Sequence, residues 1–234
     1  MRVLAVGAHP DDVEAYCAGA LAVWKARGDQ IFVAVGTDGA QGHQEILPEQ
    51  LAPLRAEEAR QAAVVLGAEL FPLGEPDGGL FVDPRTRAKM REVLAWARPD
   101  LVVTHVPDDY HPDHRAISTL VRDCCGLAPP PLPLLYMDTE AGTGFVPDIY
   151  VNLTGAPLET KLRALACHAT QVDWLRHHDG IDLLDWVRQA ARTRGLQCGV
   201  EYAEGYRVAR GTAYGGGGAV CRAGARTPPS LGKR

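Results

Sequence analysis

Two short apolar segments, each followed by a polar turn of nearly the same composition, constrain the fold of this chain most. Residues 3–6 (VLAV) lead into residues 9–12 (HPDD), and residues 101–104 (LVVT) lead into residues 111–114 (HPDH). Short apolar runs bounded by turn residues are typical of buried strands in a parallel sheet. Open α/β sheets bind their ligands at the carboxyl ends of their strands. We therefore expect both turns at the ligand-binding edge of one sheet.

The rest of the chain alternates predicted strands and helices. The clearest helix covers residues 85–98, where Met90, Val93, Leu94 and Ala97 recur at helical spacing and form one apolar face. Strands are predicted at 3–6, 31–35, 69–72, 101–104, 134–138, 149–152 and 204–209, and helices at 14–27, 53–66, 85–98, 114–124, 157–168 and 183–194. Such alternation predicts an α/β fold with a Rossmann-like, mainly parallel sheet and helices on both faces.

The composition predicts one domain and a tail. A chain of 234 residues with 46% hydrophobic and 23% charged residues is typical of one globular α/β domain, which we place at residues 1–210. Residues 211–234 are rich in glycine and basic side chains without periodicity, and we expect a flexible tail there. The six cysteines form no C-x-x-C pair, so small buried side chains are expected rather than a zinc ribbon or disulfides.

The net charge and the hydropathy of the chain limit the classes of partner that it is expected to bind. The net charge of −5 disfavours nucleic acid and anionic membranes as partners. No apolar run reaches the length of a membrane span, and the first strand is not followed by a signal-peptide cleavage pattern, so we expect a cytoplasmic protein. A small molecule is the expected partner.

The residues of the two turns are those of a divalent-metal site. His9 and Asp12 lie three residues apart, so both side chains can turn toward one point. If the two strands are near neighbours in the sheet, His114 joins them to give two histidines and one carboxylate. That ligand set is typical of zinc hydrolases, in which water takes the fourth position. Asp11 points elsewhere in this arrangement and is placed to handle protons.

Other interpretations of these residues remain. A single HPD turn is often only a helix N-cap, because the aspartate accepts from free backbone amides. Two histidines and one carboxylate also form the facial triad of Fe(II) enzymes, although those sites normally lie in a β-barrel. A catalytically silent metal-binding module would keep the framework and lose Asp11, which is present. Dinucleotide binding is disfavoured, because GAHPDD stands where G-x-G-x-x-G would follow the first strand.

The segments AHPDDVE at 8–14 and HPDHR at 111–115 resemble the LmbE/PIG-L family of zinc-dependent N-deacetylases. The segments RAEEA at 55–59, LGEPDGGL at 73–80 and YAEGYRV at 202–208 are similar to the branch that deacetylates N-acetylglucosaminyl-malate in bacillithiol synthesis. The resemblance covers roughly residues 2–210. It departs from that branch after the second turn, where the chain carries only a short proline-rich connection. Similar proteins often form hexamers or other homo-oligomers, so a homo-oligomer is expected.

The resemblance also implies a role for individual residues. His9, Asp12 and His114 match the Zn²⁺ ligands, and Asp11 matches the general base. His111 matches the histidine that stabilises the tetrahedral oxyanion, Asp113 would orient His111, and Arg55 matches a substrate-binding arginine. Either Asp11 or His111 can protonate the leaving amine. The substrate implied is an N-acylated amine, such as an N-acetyl amino sugar.

Two further residues precede the second turn. Asp109 and Tyr110 could contact the substrate, although a hydrogen-bonded turn explains them equally well. The tryptophans at 174 and 186 are most simply interpreted as packing residues, and His168 as a surface or core position.

Overall fold

Seven strands form one sheet in the computed structural model, which describes residues 1–209. They are β1 (Arg2–Gly7), β2 (Gln30–Thr37), β3 (Ala68–Glu75), β4 (Leu101–Thr104), β5 (Leu134–Met137), β6 (Ile149–Asn152) and β7 (Ala203–Val208). Their order is β3-β2-β1-β4-β5-β7-β6, and β7 alone runs antiparallel to its neighbours. The predicted mainly parallel α/β sheet is therefore confirmed. It is not the β-barrel in which Fe(II) triads normally lie.

Helices cover both faces of this sheet. They are α1 (Asp12–Tyr16), α2 (Ala18–Ala26), α3 (Pro48–Leu66), α4 (Pro84–Ala97), α5 (Pro112–Gly126), α6 (Ala156–Leu165), α7 (Ala169–Trp174) and α8 (Leu183–Cys198), with a 3₁₀ turn at Glu140–Gly142 and a π turn at Leu175–Asp179. Alternate β1 residues enter two cores: Leu4 packs with Met90 of α4, whereas Val3 packs with Leu21 of α2. Helices α6 and α8 share a third cluster, which includes Leu162 and Val187.

The pairing of β1 with β4 fixes the position of the site. Val3 pairs with Leu101 and Val6 with Thr104, in parallel register. From β1 the chain continues to β2 and β3 on one side, and it returns to β4 on the other. The order of the strands therefore reverses between β1 and β4. This is the switch point at which sheets of this type bind ligands, and both polar turns follow it.

Several predicted helix boundaries were wrong: α6 ends at Leu165 rather than 168, α8 continues to Cys198 rather than 194, and α7 was not predicted. Two further differences have a clear cause. The helix expected at 14–27 is broken at Cys17, and the Glu204 carboxylate accepts hydrogen bonds from the Gly19 and Ala20 backbone amides at the start of α2. That partner lies 184 residues beyond Ala20 along the chain, so no local pattern could indicate it. Helix α3 begins at Pro48 rather than Pro53, because either proline suits a first helical turn.

Some predictions concern other parts of the chain. The glycine-rich tail predicted at 211–234 lies outside the described residues, and the domain boundary near residue 210 stays a prediction. The five cysteines of the described range are free; Cys17, Cys124 and Cys125 are buried as predicted, whereas Cys167 is half-buried and Cys198 is exposed. None of the helices in residues 1–209 combines the length and apolar character that crossing a membrane requires.

Candidate metal centre

Three side chains from the two turns converge above β1 and β4. His9 Nδ1 lies 3.4 Å from Asp12 Oδ2, His114 Nε2 lies 3.3 Å from Asp12 Oδ1, and the two ring nitrogens lie 3.3 Å apart. Zinc binds such nitrogen and oxygen ligands at about 2.0–2.2 Å, which separates the corners of a tetrahedron by about 3.3–3.6 Å. The two histidine nitrogens are therefore spaced as ligands of one ion would be, and each lies close to a different oxygen of Asp12. The groups whose single ligand atoms lie close together include His9 with His111 and His114, and His114 with Asp12 and His105.

Buried hydrogen bonds hold Asp12 in place. Its Oδ2 accepts from the backbone amides of Ala8 at 2.9 Å and His9 at 2.7 Å, and it lies 3.1 Å from His105 Nε2. Burial raises the pKa of Asp12, but the neighbouring His114 and His105 outweigh burial and hold it well below its usual range. Asp12 is therefore a carboxylate whose other oxygen, Oδ1, faces His114.

His105 belongs to the site although the sequence analysis did not select it. Its side chain is 0% exposed, and its ring stacks on that of His114 with centroids 3.8 Å apart. Burial lowers the pKa of His105, so its imidazole is neutral. Its Nε2 contacts Asp12 Oδ2 and helps to hold that carboxylate in place. The signal was its place directly after β4, where a polar residue ends an apolar strand.

The second ring nitrogen of His9 faces two carboxylates. His9 Nε2 lies 3.2 Å from Asp77 Oδ1 and 3.3 Å from Asp113 Oδ2. Asp113 is held by the backbone amides of Gly78 at 2.8 Å and Leu80 at 3.3 Å. A metal-binding histidine usually donates its other ring N–H to such a carboxylate, which fixes the tautomer and the orientation of the ring. Asp77 was not selected as a site residue from the sequence, although the segment LGEPDGGL at 73–80 contains it.

This position of Asp113 corrects the role that the resemblance implied. The Asp113 carboxylate contacts His9, whereas only its backbone amide reaches His111, donating to Nδ1 at 3.2 Å. The loop amides at 78 and 80 draw the carboxylate toward β3. His111 is half-buried, and burial lowers its pKa, as do His9 and His114. Neutral His111 accepts at Nδ1, so its proton is on Nε2, which is a hydrogen-bond donor.

The Asp109 carboxylate points into the protein. Its Oδ1 lies 3.2 Å from His114 Nδ1 and accepts from the His111 backbone amide at 3.0 Å. Asp109 is 5% exposed, so it orients His114 and is not placed to contact a substrate directly. Tyr110 is 65% exposed at the mouth of the cavity, where such a contact is available.

The carboxylates around the two histidines create a strongly negative field. Burial alone would lower the pKa of His9, but hydrogen bonds to Asp113, Asp12 and Asp77 raise it to about 12. Burial likewise lowers the pKa of His114, but Asp12 and Asp109 outweigh burial and raise it to about 9. A field that favours a positive charge on imidazole also favours a divalent cation between the same residues.

Asp11 adopts the left-handed backbone conformation, with φ 111°, which a non-glycine residue rarely adopts. This conformation turns its side chain away from that of Asp12, and Asp11 Oδ2 lies 3.0 Å from Arg55 Nη2. Burial raises the pKa of Asp11, while Arg55 opposes that effect. The two adjacent aspartates therefore have different partners, as the sequence predicted.

Arg55 is 3% exposed and bound to the protein itself. Its Nη1 donates to the Gly39 carbonyl at 3.0 Å, and Nη2 donates to the Pro10 carbonyl and contacts Asp11. Glu58, three residues further along the same helix, accepts from Thr170 rather than from Arg55. The position of Arg55 therefore favours support of the Asp11 turn over direct contact with a substrate.

A cavity of about 370 Å³ lies over these groups. Its lining includes the polar side chains of His9, Asp11 and His111 and the apolar side chains of Leu175, Leu183 and Trp186. Trp186 was interpreted from the sequence as a packing residue, but it also forms part of the cavity wall. His168 is a buried residue, 0% exposed, beside Glu14.

The curated proteins that are similar to this chain include proteins named as deacetylases and one named as a hydratase. The chain is 27% identical to the uncharacterized deacetylase YaiS of Escherichia coli K12, over 71% of this chain and 89% of that protein. It is 28% identical to the 1D-myo-inositol 2-acetamido-2-deoxy-alpha-D-glucopyranoside deacetylase of Corynebacterium glutamicum, over 74% and 76%. It is also 26% identical to the 4-oxalmesaconate hydratase of Pseudomonas putida, over 86% of both chains.

Solved structures share this fold. A conserved protein of Thermus thermophilus superposes with a TM-score of 0.74 and 30% identity, over 89% of this chain and 94% of that one. The N,N'-diacetylchitobiose deacetylase of Pyrococcus horikoshii gives a TM-score of 0.75 and 24% identity, over 88% and 83%.

The family model described as PIG-L, GlcNAc-PI de-N-acetylase, matches residues 4–125, more than half of the chain and both polar turns. Together with the relatives named as deacetylases, this match bears out the prediction of an N-deacetylase enzyme. The chain belongs to the PIG-L family.

Proposed function

We propose that this protein is a zinc-dependent hydrolase that removes an acetyl or other acyl group from an N-acylated amine, such as an N-acetyl amino sugar or a related conjugate. The observation that carries the proposal is the convergence of His9, Asp12 and His114: the two ring nitrogens lie 3.3 Å apart, and each lies 3.3–3.4 Å from one oxygen of Asp12. Asp11 lines the same cavity. The relatives named as deacetylases of 2-acetamido-2-deoxy sugars support this choice of substrate.

The donor set fits Zn²⁺ in its chemistry and its spacing. Two imidazoles and one carboxylate leave a position for water, and Asp77, Asp109 and Asp113 supply the outer carboxylates that such histidines require. When bound, Zn²⁺ lowers the pKa of a water ligand to about 7 and polarises an acyl carbonyl.

Asp11 is the general base in this proposal. It lines the cavity, and its carboxylate accepts the proton of the attacking water. Arg55 holds that carboxylate and the Pro10 carbonyl, so the base is fixed before the substrate arrives. A base that does not need to reorganise loses no free energy to positioning during the reaction.

His111 stabilises the oxyanion that forms when water adds to the carbonyl. Its neutral tautomer carries the proton on Nε2, because Nδ1 accepts from the Asp113 amide. It can therefore donate to a developing negative charge. The nitrogen then leaves as an amine, and its proton comes from Asp11, which has just received one, or from His111.

Hydration is the second candidate, because one relative is named as a hydratase. A substrate with the name oxalmesaconate carries several carboxylates, which enzymes usually bind with free guanidinium or ammonium groups. Among the described residues that line the cavity, Arg55 is the single Lys or Arg, and its guanidinium is bound to the protein. The lining therefore favours deacetylation over hydration.

The proposal is tested by incubating the zinc-loaded protein with N-acetylated amino sugars, thiol conjugates and amino acids, and measuring acetate and free amine by mass spectrometry. His114→Ala should lose both metal and acetate release. His178→Ala changes an exposed histidine and serves as the control, with both readouts unchanged. Release of acetate from none of these compounds, or full activity of a metal-free protein, would contradict the proposal.

Three finer predictions accompany this proposal. The bacillithiol-type substrate, N-acetylglucosaminyl-malate, is one member of the panel above, and because malate carries carboxylates its turnover also tests the charge selection inferred below. A homo-oligomer, which could be a hexamer, is tested by light scattering of the purified protein. The cytoplasmic location is tested by fractionation of the cells that express it.

A further inference from the structure

We propose that this cavity selects uncharged N-acylated substrates and rejects those that carry a carboxylate or phosphate near the reacting amide. The inference rests on the proposed function, and it names the class of substrate by its charge. It comes from the balance of ionisable groups in the cavity wall, which the sequence motifs do not predict.

Carboxylates dominate the ionisable groups of the wall. Asp11, Asp12 and Asp77 lie around the candidate metal centre, and Glu140 lies at the mouth beside Tyr110. A divalent cation would offset two of the four negative charges. Since only one guanidinium remains to offset the others, the wall stays negative.

That one guanidinium, of Arg55, is enclosed by backbone. A Cβ atom on Gly39 would lie 2.6 Å from Arg55 Nη1, and a Cβ atom on Gly42 would lie 2.5 Å from the same nitrogen. Gly39 also has φ +66°, which favours glycine. The loop after β2 is therefore shaped around the guanidinium, which donates to carbonyls and contacts Asp11. Arg55 cannot turn to an anionic substrate without breaking these bonds.

Two other cations in this part of the fold are engaged as well. Arg115, at the start of α5, donates to the carbonyls of Asp109 at 2.8 Å and Tyr110 at 2.6 Å. Lys161 is 2% exposed and forms an ion pair with Glu204 at 2.5 Å. Within residues 1–209, the cavity wall therefore presents no free Lys or Arg to an anionic group of a substrate.

The apolar part of the lining suits an uncharged group. Leu175, Leu183 and Trp186 line the cavity together with the carboxylates. An anionic group would lose its hydration against these apolar side chains without gaining a partner, and the carboxylates would repel it. A neutral sugar ring or aglycone can pack on the indole and leucine surfaces while its hydroxyls bind the polar side.

The experiment compares two substrates that differ by one charge: methyl N-acetyl-glucosaminide and its carboxymethyl analogue. We expect kcat/KM of zinc-loaded enzyme to be on the order of tenfold or more higher for the neutral compound at low salt, because like-charge contacts in a poorly solvated site are costly. Raising the KCl concentration should bring the ratio of the two kcat/KM values closer to one, because salt screens the repulsion between the anionic compound and the carboxylates.

Two variants locate the source of the selectivity. Glu140→Gln removes the exposed carboxylate at the mouth, and it should raise the relative kcat/KM of the anionic compound several-fold. Glu92→Gln removes an exposed carboxylate from α4, which contributes no residue to the cavity, and should leave the ratio unchanged. Trp186→Ala should lower kcat/KM for both compounds to a similar extent.

The outcomes separate the two proposals. Equal or better turnover of the anionic compound overturns the charge selection and leaves the proposed deacetylation in place. The same holds if the ratio of kcat/KM for the neutral and anionic compounds changes neither with salt nor in Glu140→Gln. Absence of acetate release from every N-acetylated compound refutes the proposed function and the inference with it. A preference for the neutral compound that salt and Glu140→Gln both reduce supports the inference.

Discussion

The role of Asp113 gives the sharpest prediction, because its position and the family resemblance imply different outcomes. The carboxylate contacts His9 Nε2 at 3.3 Å, whereas the hydrogen bond from this residue to His111 comes from its backbone amide. Asp113→Asn keeps the shape and one acceptor oxygen for the Gly78 amide, so the loop after β3 should stay in place. The substitution removes the negative charge of the carboxylate. That charge orients His9 and makes its imidazole a better metal ligand.

Loss of such an outer carboxylate usually weakens metal binding about 10–100-fold, which corresponds to about 1.4–2.7 kcal/mol. We expect the lower half of that range, because Asp77 lies 3.2 Å from the same nitrogen and can accept its proton. The double variant with Asp77→Asn should reach the upper half. With saturating zinc, kcat of Asp113→Asn should stay within a few-fold of the original enzyme.

The assay is competition for zinc against a chelator of known affinity, followed by kcat at saturating zinc. Asp108→Asn is the matched control, because that aspartate lies in the loop before α5, is 66% exposed and pairs with Arg207 rather than with His9. Unchanged zinc affinity with a large loss of kcat in Asp113→Asn would refute the assignment to His9. That result would support the role that the resemblance implied, in which Asp113 orients His111.

Three other variants test the remaining assignments. Asp11→Asn should keep its zinc and lose on the order of 10²–10⁴ in kcat, and full activity of the zinc-loaded variant would exclude Asp11 as the base. Arg55→Ala should lower kcat more than it raises KM, because its guanidinium holds Asp11; a change in KM alone, in steady-state kinetics, would favour direct substrate binding. Gly39→Ala should lower the thermal midpoint by several degrees, since its Cβ would lie 2.6 Å from Arg55 Nη1, and an unchanged melting curve would contradict the enclosure of the guanidinium.

Local sequence predicted the elements that carry the site, because their signals are local. The apolar runs at 3–6 and 101–104 lie within β1 and β4, and the polar turns after them lie at one switch point, as parallel strands require. The residues that orient the predicted metal ligands were harder to identify from the sequence. Asp77 and His105 reach the site through the loop after β3 and the end of β4, and neither belongs to a repeated motif.

Arg55 shows why a motif can identify a residue and not its role. Its place in α3 was evident from the sequence, but its partners are carbonyls of two distant turns, at 10 and 39. Whether an arginine faces a substrate or the backbone depends on the space left by Gly39 and Gly42. That space is set by the loop after β2, and no spacing along the chain encodes it.

The charges that hold a cation in this fold also limit what can approach it. The outer carboxylates of Asp77, Asp109 and Asp113 orient the imidazoles of His9 and His114 and give the site its affinity for positive charge. The same negative field repels an anionic substrate unless the protein adds a free cation to the wall. In this chain the nearby guanidinium is used to fix the general base. Metal binding, positioning of the base and selection of substrate charge are therefore consequences of one arrangement of carboxylates, and a family member that processes anionic substrates would need a cation where this wall presents Glu140 or Trp186.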